Sequence, residues 1–65
     1  MKVFKSWREL IQEVGALTEQ ELRESINFEV STYRRAAFIK RMHQRFERLR
    51  SARERAELVA GETLL

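Results

Sequence analysis

Apolar residues recur along this chain at spacings of three and four, the period of helices with one buried face. Trp7, Leu10, Ile11 and Val14 form the first such stripe. Ser6 and Glu9 before and within it have the spacing of a capping box, in which the hydroxyl accepts from the third helical N–H and the carboxylate reaches back. Gly15 follows, a residue suited to the left-handed conformation that ends helices. The pattern predicts a first helix over about 7–14. Thr18 and Glu21 repeat the capping spacing, and Leu17 before the cap faces Leu22 at the fourth helical position as a hydrophobic staple. A second helix is expected over 19–31, carrying Leu22, Ile26 and Val30, with Glu19, Glu21 and Glu24 near its positive end.

No Gly or Pro occurs from Ala16 to Ala60, so one uninterrupted helix about 60 Å long is the simplest alternative. Phase argues against it. At 100° per residue the stripe Leu22, Ile26, Tyr33 falls opposite the stripe Phe38, Ile39, Met42, Phe46, Leu49, and no single surface covers both. A turn between them folds both into one core. The run Val30, Ser31, Thr32 is the weakest helix former available and offers caps for a new start, which places the turn near Ser31 to Arg34. The third helix then spans about 33–60, with Gly61 as its stop and 61–65 as a tail. The expected fold is all-α: a short N-terminal helix packed on an antiparallel helical hairpin, with a long, projecting C-terminal helix. The core residues are Trp7, Leu10, Ile11, Val14, Leu22, Ile26, Tyr33, Phe38, Ile39, Met42 and Phe46.

Composition agrees with this class. The 65 residues include no Pro, two Gly, 43% hydrophobic and 35% charged positions, a helical rather than a disordered mixture. A single domain of this length has a thin core, rarely worth more than roughly 3–5 kcal/mol without a staple or a partner. With no Cys, disulfides and thiolate zinc sites are excluded, so association is the expected source of extra stability. The distal third helix, through Leu49, Ala52, Ala56, Val59 and Ala60, shows small apolar residues suited to an oligomer or partner seam; a solvated, frayed helix end is the alternative. No apolar run is long enough to span a bilayer, and no apolar stretch of signal-peptide length follows Met1 to Lys5. The expected location is the cytoplasm.

Charge is segregated. Thr18 to Thr32 holds four Glu against one Arg, a balance of −3, whereas Tyr33 to Ala60 holds eight Arg and one Lys against three Glu, a balance of +6. On the third helix Arg34, Arg41, Arg45, Arg48 and Arg55 lie along one flank of the apolar stripe. His43, Glu47, Arg50, Glu54 and Glu57 lie along the other, where Glu47–Arg50 and Arg50–Glu54 have helix-supporting spacing. The unpaired flank is the candidate site, because the guanidinium fork suits carboxylate or phosphate. It meets the acidic second helix, or solvent, or a partner. A nucleic acid is one candidate partner, with steep salt dependence as its signature, but the net charge of +3 is modest and Gln44 is the only base-reading amide on the helix.

Catalytic chemistry is absent from the pattern. His43 has no Cys or Asp beside it and reads as a surface or hydrogen-bonded histidine. The N-terminal glutamates have no deep apolar pocket to raise a carboxylate pKa, and there is no Gly-rich phosphate loop. The aromatics are core anchors in the main, with Phe4 and Phe28, each off its local stripe, as surface hot-spot candidates. No cofactor, metal or small-molecule substrate is expected, and the chain reads as a non-enzymatic binding protein.

Ser6-Trp7-Arg8-Glu9-Leu10, Leu17-Thr18-Glu19-Gln20-Glu21-Leu22 and Arg41-Met42-His43-Gln44-Arg45-Phe46 with Leu49-Arg50 resemble small uncharacterised helical proteins encoded by tailed, short-tailed-type phages. The resemblance extends from about Ser6 to Leu58. It implies a phage accessory protein made in the host cytoplasm that binds a host or phage macromolecule, and it assigns no site residue. The resulting expectation is protein association, with Arg41, Arg45 and Arg48 on an acidic surface and Leu49, Ala56 and Val59 in a seam; nucleic-acid binding and a virion structural role are the alternatives.

Overall fold

The computed structural model describes residues 2–63. It contains α1 (Trp7–Glu13), a 3-10 turn (Val14–Ala16), α2 (Glu19–Ser31) and α3 (Ala36–Thr63). The class is all-α, and α2 packs on α3 as an antiparallel hairpin; the 3-10 turn touches α3, and α1 joins the shared core through Leu10. Helix α3, at 28 residues, is about 42 Å long, which sets the long dimension of the molecule at 47 Å.

Local signals explain the starts. The Ser6 hydroxyl accepts from the Glu9 N–H at 3.2 Å. Thr18 and Glu21 form a reciprocal capping box, with the Glu21 N–H donating to the Thr18 hydroxyl at 3.1 Å and the Thr18 N–H donating to the Glu21 carboxylate at 2.9 Å. Those bonds hold the Glu21 carboxyl below its ordinary pKa.

The stops differ from expectation. Neither glycine is left-handed. At Gly15 the helix tightens into the 3-10 turn, and the Leu17 N–H donates to the Val14 carbonyl at 3.4 Å. At Gly61 α3 continues through to Thr63. Glycine in right-handed helical backbone costs only about 1 kcal/mol relative to Ala, too little to end a helix already propagating. The expected tail is therefore helical as far as Thr63, while Leu64 and Leu65 lie outside the described residues.

The hairpin turn occupies residues 32–35 rather than 31–34, and α3 begins at Ala36 instead of Tyr33. The hydroxyls of Ser31 and Thr32 finish α2 and do not start α3: each accepts nothing from the following helix and donates back to the Phe28 carbonyl, at 3.1 and 2.6 Å. Arg34 has φ 55°, left-handed backbone that is uncommon outside Gly, Asn and Asp. It reverses the chain, with its N–H donating to the Glu29 carbonyl at 2.7 Å.

Phe4, Leu10, Val14, Leu22 and Met42 are buried, with Leu17, Ile26, Phe38, Phe46 and Leu49 packed around them. Four expected core residues are not in it, three of them exposed. Tyr33, in the turn, is 63% exposed; Trp7 and Ile11 are 46% and 44% exposed. Phe4 explains the last two. The segment Lys2 to Phe4 runs back beside α2, where the Ser25 hydroxyl donates to the Lys2 carbonyl at 2.7 Å. Phe4 thereby takes the central position that α1's own stripe would otherwise fill, and it is a core anchor rather than a surface hot spot. Phe28 is half-buried, edge-on to Tyr33 at 6.3 Å. Ile39 is half-buried on the rim.

One polar joint ties these pieces together. The Glu29 carboxylate, 3% exposed as a residue, accepts from Arg35 three times: from the backbone N–H at 3.1 Å, from Nε at 2.8 Å and from Nη2 at 2.7 Å. The same Nη2 donates to the Phe4 carbonyl at 2.8 Å, and the guanidinium lies 3.8 Å from the Phe38 ring centroid. A carboxylate at the start of α3 also meets the positive end of its dipole. The Arg35 bonds hold the Glu29 carboxyl below its usual range, against the burial that opposes charge. This joint clamps α2, α3 and the N-terminal segment at the turn.

Candidate functional site

Every glutamate whose side chain is described already has a partner within the chain. Glu9 and Glu13 share Lys2 at 3.2 and 3.1 Å. Glu19 and Glu57 share Arg53 at 2.8 and 3.1 Å, and Glu47 and Glu54 share Arg50 at 2.7 and 3.9 Å. Glu21 is in its cap, Glu24 accepts from Gln20 at 3.0 Å, and Glu29 holds Arg35. The Arg53–Glu19 contact is the cross-helix attraction that the opposite charges of the hairpin imply, and those partners raise the Arg53 pKa. His43 stands 3.7 Å from Glu47.

Of the described cations without a carboxylate partner, Lys5, Arg8, Arg23, Arg34 and Lys40 are scattered, while four share one face of α3. Among the described residues, no carboxylate pairs with Arg41, Arg45, Arg48 or Arg55. These four span about 21 Å of helix at 1.5 Å per residue. Arg34, expected in the same row, sits in the turn instead, with its Nε donating to the Val30 carbonyl at 3.2 Å. Arg45 is partly committed: its Nη2 donates to the Gly15 carbonyl at 3.1 Å, satisfying the end of the 3-10 turn and holding that turn against α3. Arg41, Gln44, Arg45, Arg48 and Gly15 line a surface hollow of about 260 Å³. Glu47, Arg48 and Arg55 border a second hollow beside Ser51 and Ala52.

The other expected seam is divided. Leu49 packs on the chain's own core, while Ala52, Ala56 and Val59 are exposed. On the far side of α3, Phe46 lies between the guanidinium groups of Arg23 and Arg50, 5.7 and 5.9 Å from its centroid. Among the described residues no group of three or more acidic or His side chains is placed to hold a metal. None of the described helices is long and apolar enough to cross a membrane.

Sequence reasoning missed Glu29, Arg35 and Arg53. A signal existed for the first: Leu22, Ser25 and Glu29 follow the three-four period of α2's buried stripe, and a carboxylate at such a position demands a buried partner. Arg35 is the last residue of the turn, where no helical period places a side chain.

The class defined by fold and surface is a small helical hairpin protein with one self-neutralised face and one cationic face. No family model, curated protein or solved structure matches this chain.

Proposed function

We propose that this chain is a non-enzymatic binding module that uses the arginine face of α3 to engage an acidic surface on a protein partner. The observation that supports the reading is the complete internal pairing of the described glutamates beside an arginine face that has none. Neutralising that face takes carboxylates or phosphates from another molecule, and arginine's fork binds either with two parallel hydrogen bonds. Lone surface ion pairs within a chain contribute only about 0–1 kcal/mol, so the row has little value for the fold itself. The reading places the protein in the cytoplasm as a phage-type accessory factor, in keeping with the likeness of its Arg41-Met42-His43-Gln44-Arg45-Phe46 segment to small phage proteins.

The test is the double substitution Arg41→Glu with Arg48→Glu. Neither residue touches the core, so helicity and melting temperature stay within the small range of ordinary surface changes, about 0.5 kcal/mol. Partners retrieved by the native protein from nuclease-treated lysate are lost with the variant. Partners that vanish on nuclease treatment identify a nucleic acid instead, and an unchanged catch with the variant removes the arginine face from the function. The exposed Ala52, Ala56 and Val59 side chains support a second reading, self-association, which light scattering reports as a dimer mass.

A further inference from the structure

Trp7 and Ile11 stand half-exposed beside the arginine row, and their position says what kind of acidic partner fits. Trp7 lies edge-on against Phe38, with ring centroids 5.7 Å apart, and Arg41 follows Phe38 by one helical turn. At the other end of the same seam the Arg45 guanidinium holds the Gly15 carbonyl. The segment from Trp7 to Gly15 thus runs alongside α3 from Phe38 to Arg45. Glu9 and Glu13 point the other way, to Lys2, so Trp7 and Ile11, one turn apart, lie on the opposite flank of α1, the flank that Trp7 turns toward Phe38 of α3. The result is an apolar step next to a cationic strip.

We propose that the partner segment is an acidic amphipathic helix that lays its apolar stripe on Trp7 and Ile11 and its carboxylates along Arg41, Arg45 and Arg48. This rests on the acidic-partner reading and specifies it. The arginines fall at steps of four and three, so a helix laid along them presents carboxylates at matching steps. An aliphatic-aromatic step beside them takes Leu or Ile side chains, the helix-in-groove mode of recognition. Tryptophan and arginine together are the residue types that dominate binding energy at protein interfaces. A second copy of this chain is a poor occupant, because its described carboxylates are already paired. A base stack is also a poor fit, since Trp7 shares its surface with Phe38 and Ile11 offers no aromatic plane.

The experiment titrates the full chain with a helical peptide of about four turns, built from Leu, Ala and Glu so that Leu forms one stripe and Glu the adjacent one. A sequence-scrambled peptide of the same composition, poly-L-glutamate and a DNA duplex are run in parallel. Trp7 is the only tryptophan, so its emission reports the apolar step directly. The expected result is a blue shift with the patterned peptide alone, and binding about ten- to a hundredfold tighter than the scrambled one, the effect of covering the exposed halves of two large side chains. Ile11→Ser abolishes that preference and leaves poly-L-glutamate binding unchanged. The peptide comparison is made on the native chain, so it stands even where the variant loses structure. Equal binding of patterned peptide, scrambled peptide and poly-L-glutamate overturns the amphipathic partner and leaves the arginine-face reading intact. Failure of all acidic peptides overturns both. Tighter binding of the duplex than of the patterned peptide replaces the protein partner with a nucleic acid.

Discussion

Arg35→Ala tests the joint on which the hairpin depends. Breaking a buried ion pair by deleting one partner costs about 3–5 kcal/mol when both groups are sequestered. Here the Glu29 side chain is 4% exposed but the Arg35 side chain is 28% exposed, so water partly screens the pair and reduces the expected loss to about 2–3 kcal/mol. The substitution also removes the hydrogen bond to the Phe4 carbonyl and the contact over Phe38. For a domain of this size, stabilised by roughly 3–5 kcal/mol, such a loss brings unfolding close to working temperatures. Denaturant titration followed by far-UV circular dichroism measures it. Acid gives a second signature. The Glu29 carboxyl titrates below its ordinary value of 4.5 in the folded protein, so its contribution is fully present above that value and is lost as pH falls through the folded pKa. In Arg35→Ala the carboxylate has no partner and protonates more readily, so the difference between the two proteins narrows under acid. A loss below about 0.5 kcal/mol, the range of a neutral surface change, or a difference that persists unchanged into acid, refutes the clamp.

Two further outcomes follow from the same geometry. Arg34→Gly relieves left-handed backbone at φ 55° and gives up one exposed side-chain bond, so the unfolding free energy read by denaturant titration rises by about 0.5–1 kcal/mol. Phe4→Ala empties the position that orders the N-terminal segment and costs about 3–5 kcal/mol, enough to abolish the cooperative melt; retention of a sharp transition there would show that Lys2 to Phe4 is not part of the core.

Much of the architecture was readable because its signals are local. The two caps at Ser6 and Thr18 and the opposed phases of the Leu22 and Phe38 stripes require only neighbouring residues and a 100° step. What escaped depends on contacts distant in sequence. Three apolar residues in a seven-residue helix, with Val14 just after it, cover more than one side, and periodicity alone does not say which side the rest of the chain buries. Phe4, preceding any helix and outside any period, decided that, and so turned Trp7 and Ile11 outward. Glu29 and Arg35 carry charges that read as surface residues until the turn brings them together. The cationic face was visible as spacing; Arg34's departure from it follows from α3 starting at Ala36 rather than Tyr33.

The most direct test of the central claim follows the arginine Nε–H resonances by nuclear magnetic resonance while poly-L-glutamate is added at low and then high salt. The account predicts that Arg41, Arg45, Arg48 and Arg55 shift together and relax back as salt screens the charges, while Arg35, Arg50 and Arg53, already held by Glu29, Glu47 and Glu19, stay in place. Shifts spread evenly over all the arginines, or confined to the paired ones, would contradict it.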